Sequence, residues 1–405
     1  MNVAAGKALP AAGDAAVLTR ARHALMAGNF AIGCGVMVVA GSLNDLVTSL
    51  GVSVAVGGQL ISVAAVCMAL GAPLLAAALS RWDRRSLLAL AMAWYTLWHA
   101  VCALMPSYAM LLPPRTLAVL GAAVFTPQAA AAVTALAPPA ERGRAIAFIF
   151  LGWSVSSVVG MPLMAWVAET LGWRWAFALV ALLSAVTGVW VWRALPAGIR
   201  TQALSRHDWK LALTHPLLIG VVAVTALSAA GQFTVFSYFA PYYRQVLGAS
   251  PAQVSLLFLW FGAFGLAGNM LVGRGIDRLG AARFATWMVA AMALSLALWP
   301  LAVGVASMAL VLVPWALGCF SANSAQQARL GASAPGLAGA SMTLNTSAIY
   351  VGQAAGSAGG GAWLATVGFA GLNGIALAWM LLAVGLSVWL GRRAATGRAL
   401  PGSGT

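Results

Sequence analysis

The chain has 405 residues, of which 62% are hydrophobic and only 7% charged. Soluble domains carry about 25% charged residues, so water is excluded as the main solvent. The formal net charge of +15 invites a nucleic-acid reading, but the placement of the charges argues against one.

Cut at Pro, Gly and charge clusters, the apolar runs give twelve spans: 24–46, 54–79, 86–105, 107–136, 145–168, 174–193, 213–238, 252–272, 284–303, 305–325, 338–362 and 371–390. A helix needs roughly 20 apolar residues to cross the hydrocarbon layer. The runs lack the roughly 10-residue alternation of a membrane barrel, so helices are predicted. The expected fold is all-α and integral to the membrane, with twelve transmembrane helices in two pseudo-symmetric six-helix bundles. The bundles occupy 24–193 and 213–390, joined by a basic linker at 194–212 and flanked by segments 1–23 and 391–405. The last of these has the Arg, Gly and Pro content of a disordered tail. Segment 1–23 has no apolar core with a cleavage site, so span 1 is expected to direct insertion.

The two bundles repeat each other. Leu50-Gly51-Val52-Ser53 returns 197 residues on as Leu247-Gly248-Ala249-Ser250, Gly71 returns as Gly268, and Ser80-Arg81 as Asp277-Arg278. Gly152, Ser156 and Gly160 return 200 residues on as Gly352, Gly356 and Gly360. Duplicated bundles of this kind build transporters, with the substrate between the halves near mid-bilayer.

Nineteen of the 22 Lys and Arg residues fall in alternate gaps, Arg329 among them, and the opposite gaps hold only Arg174 and Arg244. The positive-inside rule then places both termini in the cytoplasm, with lipid rather than nucleic acid as the partner. Cys34, Cys67, Cys102 and Cys319 lie inside spans, with spacing that fits neither a metal site nor a disulfide framework.

Several segments resemble the major facilitator superfamily, in its bacterial drug:proton antiporter and sugar-efflux branch. GRGIDRLGAAR, Gly273 to Arg283, is similar to the family's loop between spans 8 and 9. Arg115 to Gly121 resembles its Arg-x5-Gly signature in span 4, and Gly160-Met161-Pro162 its antiporter signature in span 5. LGWRWAF from Leu171, AGQFTVFSYFAP from Ala230 and LNTSAIYVGQAAG from Leu344 add to the likeness, which covers residues 24–390. There are two departures. The first-half loop, SRWDRRS, has Ser80 where its repeat has Asp277, and Asp83 where its repeat has Gly280. In span 1, Val36 stands where the branch often carries Glu.

The resemblance implies gating loops at Asp83, Arg84, Arg274, Asp277, Arg278 and Gly280; either Asp83 substitutes for the missing acid from a shifted place, or only the second half carries the full latch. It also implies a cavity lined by spans 1, 4, 7 and 10. Amides in spans bind polar groups without the cost of a buried charge; they are Asn29, Gln59, Gln128, Gln232, Asn323, Asn345 and Gln353. Asn29, Gln232, Asn323 and Asn345, with Arg115, are the substrate-cavity candidates, unless the amides only tie helices together. Trp153, Phe233, Phe236 and Tyr238 are candidates for an apolar wall. Trp82, Trp173 and Trp175 fit interfacial anchors.

Arg115 is expected to face the interior, where it either shapes the field of the transport path or pins two helices. No acid lies mid-span, which leaves His99 and Asp45 as candidate proton sites, although a lone His on an apolar helix is more often a hydrogen-bonded packing residue. Gly152, Gly160, Gly352, Gly356 and Gly360 permit close helix packing, and Pro162 should bend span 5. The expected function is proton-coupled export of small organic molecules across the inner membrane, by a monomer with no enzymatic activity, no cofactor and no metal. A facilitator or uptake carrier of the same fold is the alternative, and a membrane receptor a more distant one.

Overall fold

Every predicted span forms a helix in the computed structural model, which describes residues 15–79, 81–138, 141–200, 206–334 and 337–395. The first half contains α1 (Ala15–Leu50), α2 (Val54–Ala78), α3 (Arg84–Ala103), α4 (Tyr108–Leu136), α5 (Arg142–Leu171) and α6 (Trp173–Ala194). The second contains α7 (Pro216–Gln245), α8 (Pro251–Met270), α9 (Ala281–Leu298), α10 (Val305–Ser333), α11 (Ala338–Thr366) and α12 (Leu372–Ala395). A linker helix, Arg206–Thr214, precedes α7, and a loop helix, Val272–Leu279, joins α8 to α9. Residues 1–14 and 396–405 of the expected end segments lie outside the described residues. From Ala15 inward and out to Ala395 those segments are helical, continuous with α1 and α12.

Among the described residues, eleven helices are long and apolar enough to cross a membrane. The other long helix, α11, has its hydropathy lowered by Gly352, Gly356, Gly359, Gly360 and Gly361 and by its Ser, Thr and Asn residues, yet it packs between α7 and α2. The outer surface is apolar: Leu70, Leu74, Leu104, Met270 and Leu310 are each more than 60% exposed. Such a surface is unfavourable in water and suited to lipid.

Within the halves, the glycines bring helices together. A Cβ on Gly152 would collide with the α1 backbone at Met26 and Phe30, and one on Gly352 with the α7 backbone at Ala226 and Ala230. Each of these partners is 200 residues from its counterpart, so the repeat in sequence is a repeat in packing. Between the halves, α2 packs on α11 and α5 on α8, again equivalent pairs. We call this inter-half surface the seam. The helices alternate in direction, so the first-half loop, the linker and the 8–9 loop share one end with the described termini. That is the basic end; the other is the far end.

Two helices are irregular for backbone reasons. Pro162 has no N–H to give Val158, and the preceding turn, Ser156–Gly160, widens to a π segment in which the Met161 N–H bonds Ser156 O. Gly262 of α8 lies so close to Ser157 and Val158 that a Cβ there would overlap the π segment's backbone. Pro241 likewise leaves the Ser237 carbonyl without a donor, and α7 breaks between Phe236 and Phe239.

Candidate functional site

Arg115 is buried in α4, 2% exposed, and reaches α1. Its Nη1 donates to Gly35 O at 2.9 Å and its Nη2 to Val36 O at 3.3 Å. Nη1 also lies 3.3 Å from His99 Nε2. A guanidinium can only donate, so Nε2 accepts and the ring proton sits on Nδ1, which donates to Tyr95 O at 2.9 Å. Both ring nitrogens of His99 are thereby used. Tyr95, fully buried, donates its hydroxyl to Ile32 O at 3.0 Å. Gly121, the end of the Arg-x5-Gly run, sets the spacing: a Cβ there would stand 3.0 Å from Ala91 O. Together, α1, α3 and α4 form one hydrogen-bonded unit around a cation.

Each half also holds a three-helix polar node. In the first, Asn29 of α1 donates to Ile149 O of α5 at 3.0 Å and accepts from Thr126 of α4 at 3.0 Å. Trp153 Nε1 adds a contact of 3.3 Å to the Thr126 hydroxyl. In the second, Asn345 of α11 accepts from Thr225 of α7 at 2.7 Å and donates to Asn323 of α10 at 3.1 Å. The helices involved correspond one to one. Asn29 and Asn345 are fully buried, whereas Trp153 and Asn323 are half-buried.

The other cavity candidates separate by exposure. Gln232 and Phe233 are half-buried, and no described residue hydrogen-bonds the Gln232 amide. Phe236 is 8% exposed and sits in an aromatic core with Phe239 and Phe261. Tyr238 is fully buried and donates to Ser357 O at 2.6 Å. Gln59 is exposed, whereas Gln128 and Gln353 are buried.

At the far end the halves touch through polar groups. Ser62 of α2 and Ser357 of α11 share a hydrogen bond of 2.8 Å. Arg244 of α7 approaches Glu169 of α5 at 4.0 Å, and Asn44 donates to the same carboxylate at 2.9 Å. Asp45, the other candidate proton site, accepts from the Trp173 N–H at 2.6 Å. It therefore caps the N-terminus of α6, where the helix dipole favours an anion. Trp173 is not an interfacial anchor: it is 1% exposed, with Nε1 donating to Ser49 at 2.6 Å. Two helical positions differ by about 200° in direction, so Trp175, 62% exposed, faces outward instead.

The family model described as Major Facilitator Superfamily matches residues 25–357. The chain belongs to the major facilitator superfamily. The "Inner membrane transport protein YdhP" of Escherichia coli (strain K12) is 30% identical over 342 residues, 84% of this chain and 87% of that one. The "Chloramphenicol resistance protein" of Streptomyces lividans is 34% identical over 338 residues, 80% of this chain and 84% of that one. A solved inward-facing, occupied structure of a bacterial homolog of the human lysosomal transporter Spinster superposes with a TM-score of 0.75, 16% identity, and coverage of 96% of this chain and 100% of that one. At that identity it speaks for the fold alone.

In this major facilitator chain the two loops expected to gate are built differently. Asp83 is extended, caps α3 through Ser86 N at 3.1 Å, and accepts from Gly198 N of the linker at 2.7 Å. Arg84 donates to Leu79 O at 3.2 Å and Trp82 O at 3.1 Å, while its backbone N–H bonds Ile199 O. Gly280, the repeat position of Asp83, instead takes φ 77°, a conformation suited to glycine, and starts α9. Arg274, Asp277 and Arg278 are exposed on the loop helix. Arg329 does not lie in a gap. The polar run around Gln326 hid the continuation of α10 to Ser333, and Arg329 is 4% exposed, donating to Ser387 at 3.0 Å.

Sequence reasoning passed over Thr126, Thr225, Tyr95 and the Glu169–Arg244 contact. Thr126 carried a usable signal, since it lies 197 residues before Asn323.

Proposed function

We propose that this transporter exports small organic molecules from the cytoplasm by alternating access, as a monomer coupled to the proton gradient. One observation carries the direction. A relative that covers most of the chain is named for chloramphenicol resistance, and a transporter protects a cell by removing the toxic compound. The basic end is taken as cytoplasmic, in line with the positive-inside rule. The far-end contacts Ser62–Ser357 and Glu169–Arg244 then close the outer side, and the substrate enters the seam from within.

In this reading Asn323, Trp153, Gln232 and Phe233 meet the substrate, while the fully buried Asn29 ties α1 to α4 and α5. Arg115 holds α1, α3 and α4 as one body while the halves rock. Drug accumulation in an efflux-deficient host tests the direction: expression should lower steady-state chloramphenicol, and a protonophore should restore it. An unchanged or raised drug level would refute export.

The facilitator reading keeps one specific support. The hydrogen bonds of His99 fill both of its ring nitrogens, and Asp45 serves as a helix cap. A pH jump across proteoliposomes separates the two readings, because a facilitator moves substrate at the same rate with or without the gradient.

A further inference from the structure

We propose that the seam selects by charge, admitting uncharged or anionic molecules rich in hydrogen-bond acceptors and rejecting organic cations. This deepens the export reading, on which it rests for there being a substrate.

Arg115 and Arg329 place two guanidiniums inside the bundle, 2% and 4% exposed. Among the described residues, their hydrogen-bond partners are neutral: Gly35 O, Val36 O and His99 for the first, Ser387 for the second. Each keeps a buried nitrogen with no partner, Nε in Arg115 and Nη2 in Arg329. Lone pairs of carbonyl, imidazole and hydroxyl groups solvate a cation but leave its net charge in place. Among the described residues, the acids stand elsewhere. Asp45 and Glu169 are at the far end, engaged by Trp173 N, Asn44 and Arg244. Asp83, Glu141 and Asp277 are at the basic end, Asp208 is on the linker helix, and Asp14 precedes the described residues.

The repeat relates residues of α7 to the depth of Arg115. The glycine contacts pair α1 with α7 at an offset of 200, so its acceptors Gly35 and Val36 have Val235 and Phe236 as counterparts, and Gln232 and Phe233 lie about one helical turn nearer the basic end. Val36, Gln232 and Phe233 are half-buried. At an effective dielectric near 20, a unit charge about 10 Å away changes the local concentration of a monovalent ion by roughly ten-fold. An anion is enriched by that factor and a cation depleted by it. The Gln232 amide, unpartnered among the described residues, supplies a neutral donor within about a turn of that level.

The test separates the charge of the seam from transport. In the full chain, Cys34, Cys67, Cys102 and Cys319 are replaced by Ala and Gln232 by Cys. The thiol is then labelled with an anionic sulfonate and a cationic trimethylammonium methanethiosulfonate, and each rate is divided by that for a free thiol. The anionic reagent should lead by about ten-fold or more, and Val36→Glu, whose carboxylate offsets the adjoining guanidinium, should remove that lead. Equal rates, a lead for the cation, or no labelling by either reagent would overturn the proposal.

The second arm compares chloramphenicol, its succinate monoester and its deacylated amine in proteoliposomes. The first two should move and the amine should not; an amine moved as fast as chloramphenicol overturns charge selection. If none moves, chloramphenicol export fails, while the labelling ratio still decides the charge.

Discussion

Thr126 and Asn323 stand 197 residues apart and hold the same place in the two halves, each on the fourth helix of its bundle and each bonded to a buried asparagine. The node is a shared tie between three helices, so its loss should show as instability before it shows as altered transport. Asn345→Ala removes bonds to both Thr225 and Asn323. Each interhelical bond of this kind contributes about 0.6–2 kcal/mol. We expect Asn345→Ala to lower stability in detergent by about 1–3 kcal/mol, and a double-mutant cycle with Thr225→Val to give a coupling of about 1 kcal/mol. Additive effects in that cycle would mean the amide does not act through Thr225.

Arg115 and His99 make a sharper prediction. His99 accepts from Arg115 and donates to Tyr95 O, a pattern that a glutamine amide can reproduce. His99→Gln should keep most of the transport and its dependence on the proton gradient. His99→Leu takes one acceptor from a buried guanidinium and should lose about ten-fold or more. Arg115→Lys offers a point charge in place of a fork and should fail like Arg115→Ala, at normal membrane levels. Gradient-driven transport that vanishes in His99→Gln, while substrate exchange survives, would instead make the imidazole a proton carrier.

The fold was legible because lipid forbids ambiguity: every span must satisfy its own backbone, so long apolar runs read as helices. Arg115, Asn29 and Asn345 were legible for the same reason, since polar groups in spans are costly enough to be informative. Hydroxyls were not. Thr116, Thr134 and Thr225 bond the carbonyl four residues back, as helical threonines commonly do, and nothing in the sequence marks Thr126 or Thr225 as bridging helices. Glu169 and Arg244 sit at the ends of different helices, and only the closure of the two halves at the far end brings them together. Trp173 was misread because a residue near a helix start looks like an anchor until the helix is turned to show its face.

The Glu169–Arg244 contact is, among the described residues, the ionic tie across the seam, and it should be weak. Arg244's side chain is 39% exposed, the separation is 4.0 Å, and the guanidinium also donates to Ala249 O. Partly exposed pairs contribute about 0.2–1 kcal/mol, so Glu169→Gln should raise the open far-end population by about five-fold at most. Labelling of a cysteine placed at Ser62, on the far-end contact, reads that population. The charge-swapped pair Glu169→Arg with Arg244→Glu should return it toward wild type. Unchanged labelling in Glu169→Gln would show that apolar packing around Gly58 and Tyr238 closes the far end without the ion pair.

Asp83 and Asp277 should part company when stability and turnover are measured together. Asp83 caps α3 and holds Gly198 of the linker, so Asp83→Ala loses a helix cap, about 0.5–2 kcal/mol, and the tie to the linker as well. Asn retains the acceptor oxygen, and Asp83→Asn should recover most of that loss. Asp277 is exposed and makes no hydrogen bond or ion pair among the described residues, so Asp277→Asn should leave the unfolding midpoint within about 0.5 kcal/mol of wild type. Any slowing of transport in Asp277→Asn then reports a contact made only in another conformation, as expected of a latch. If Asp277→Asn destabilises the resting protein as much as Asp83→Ala does, the loop helix is a structural brace and the gating role passes to the first-half loop.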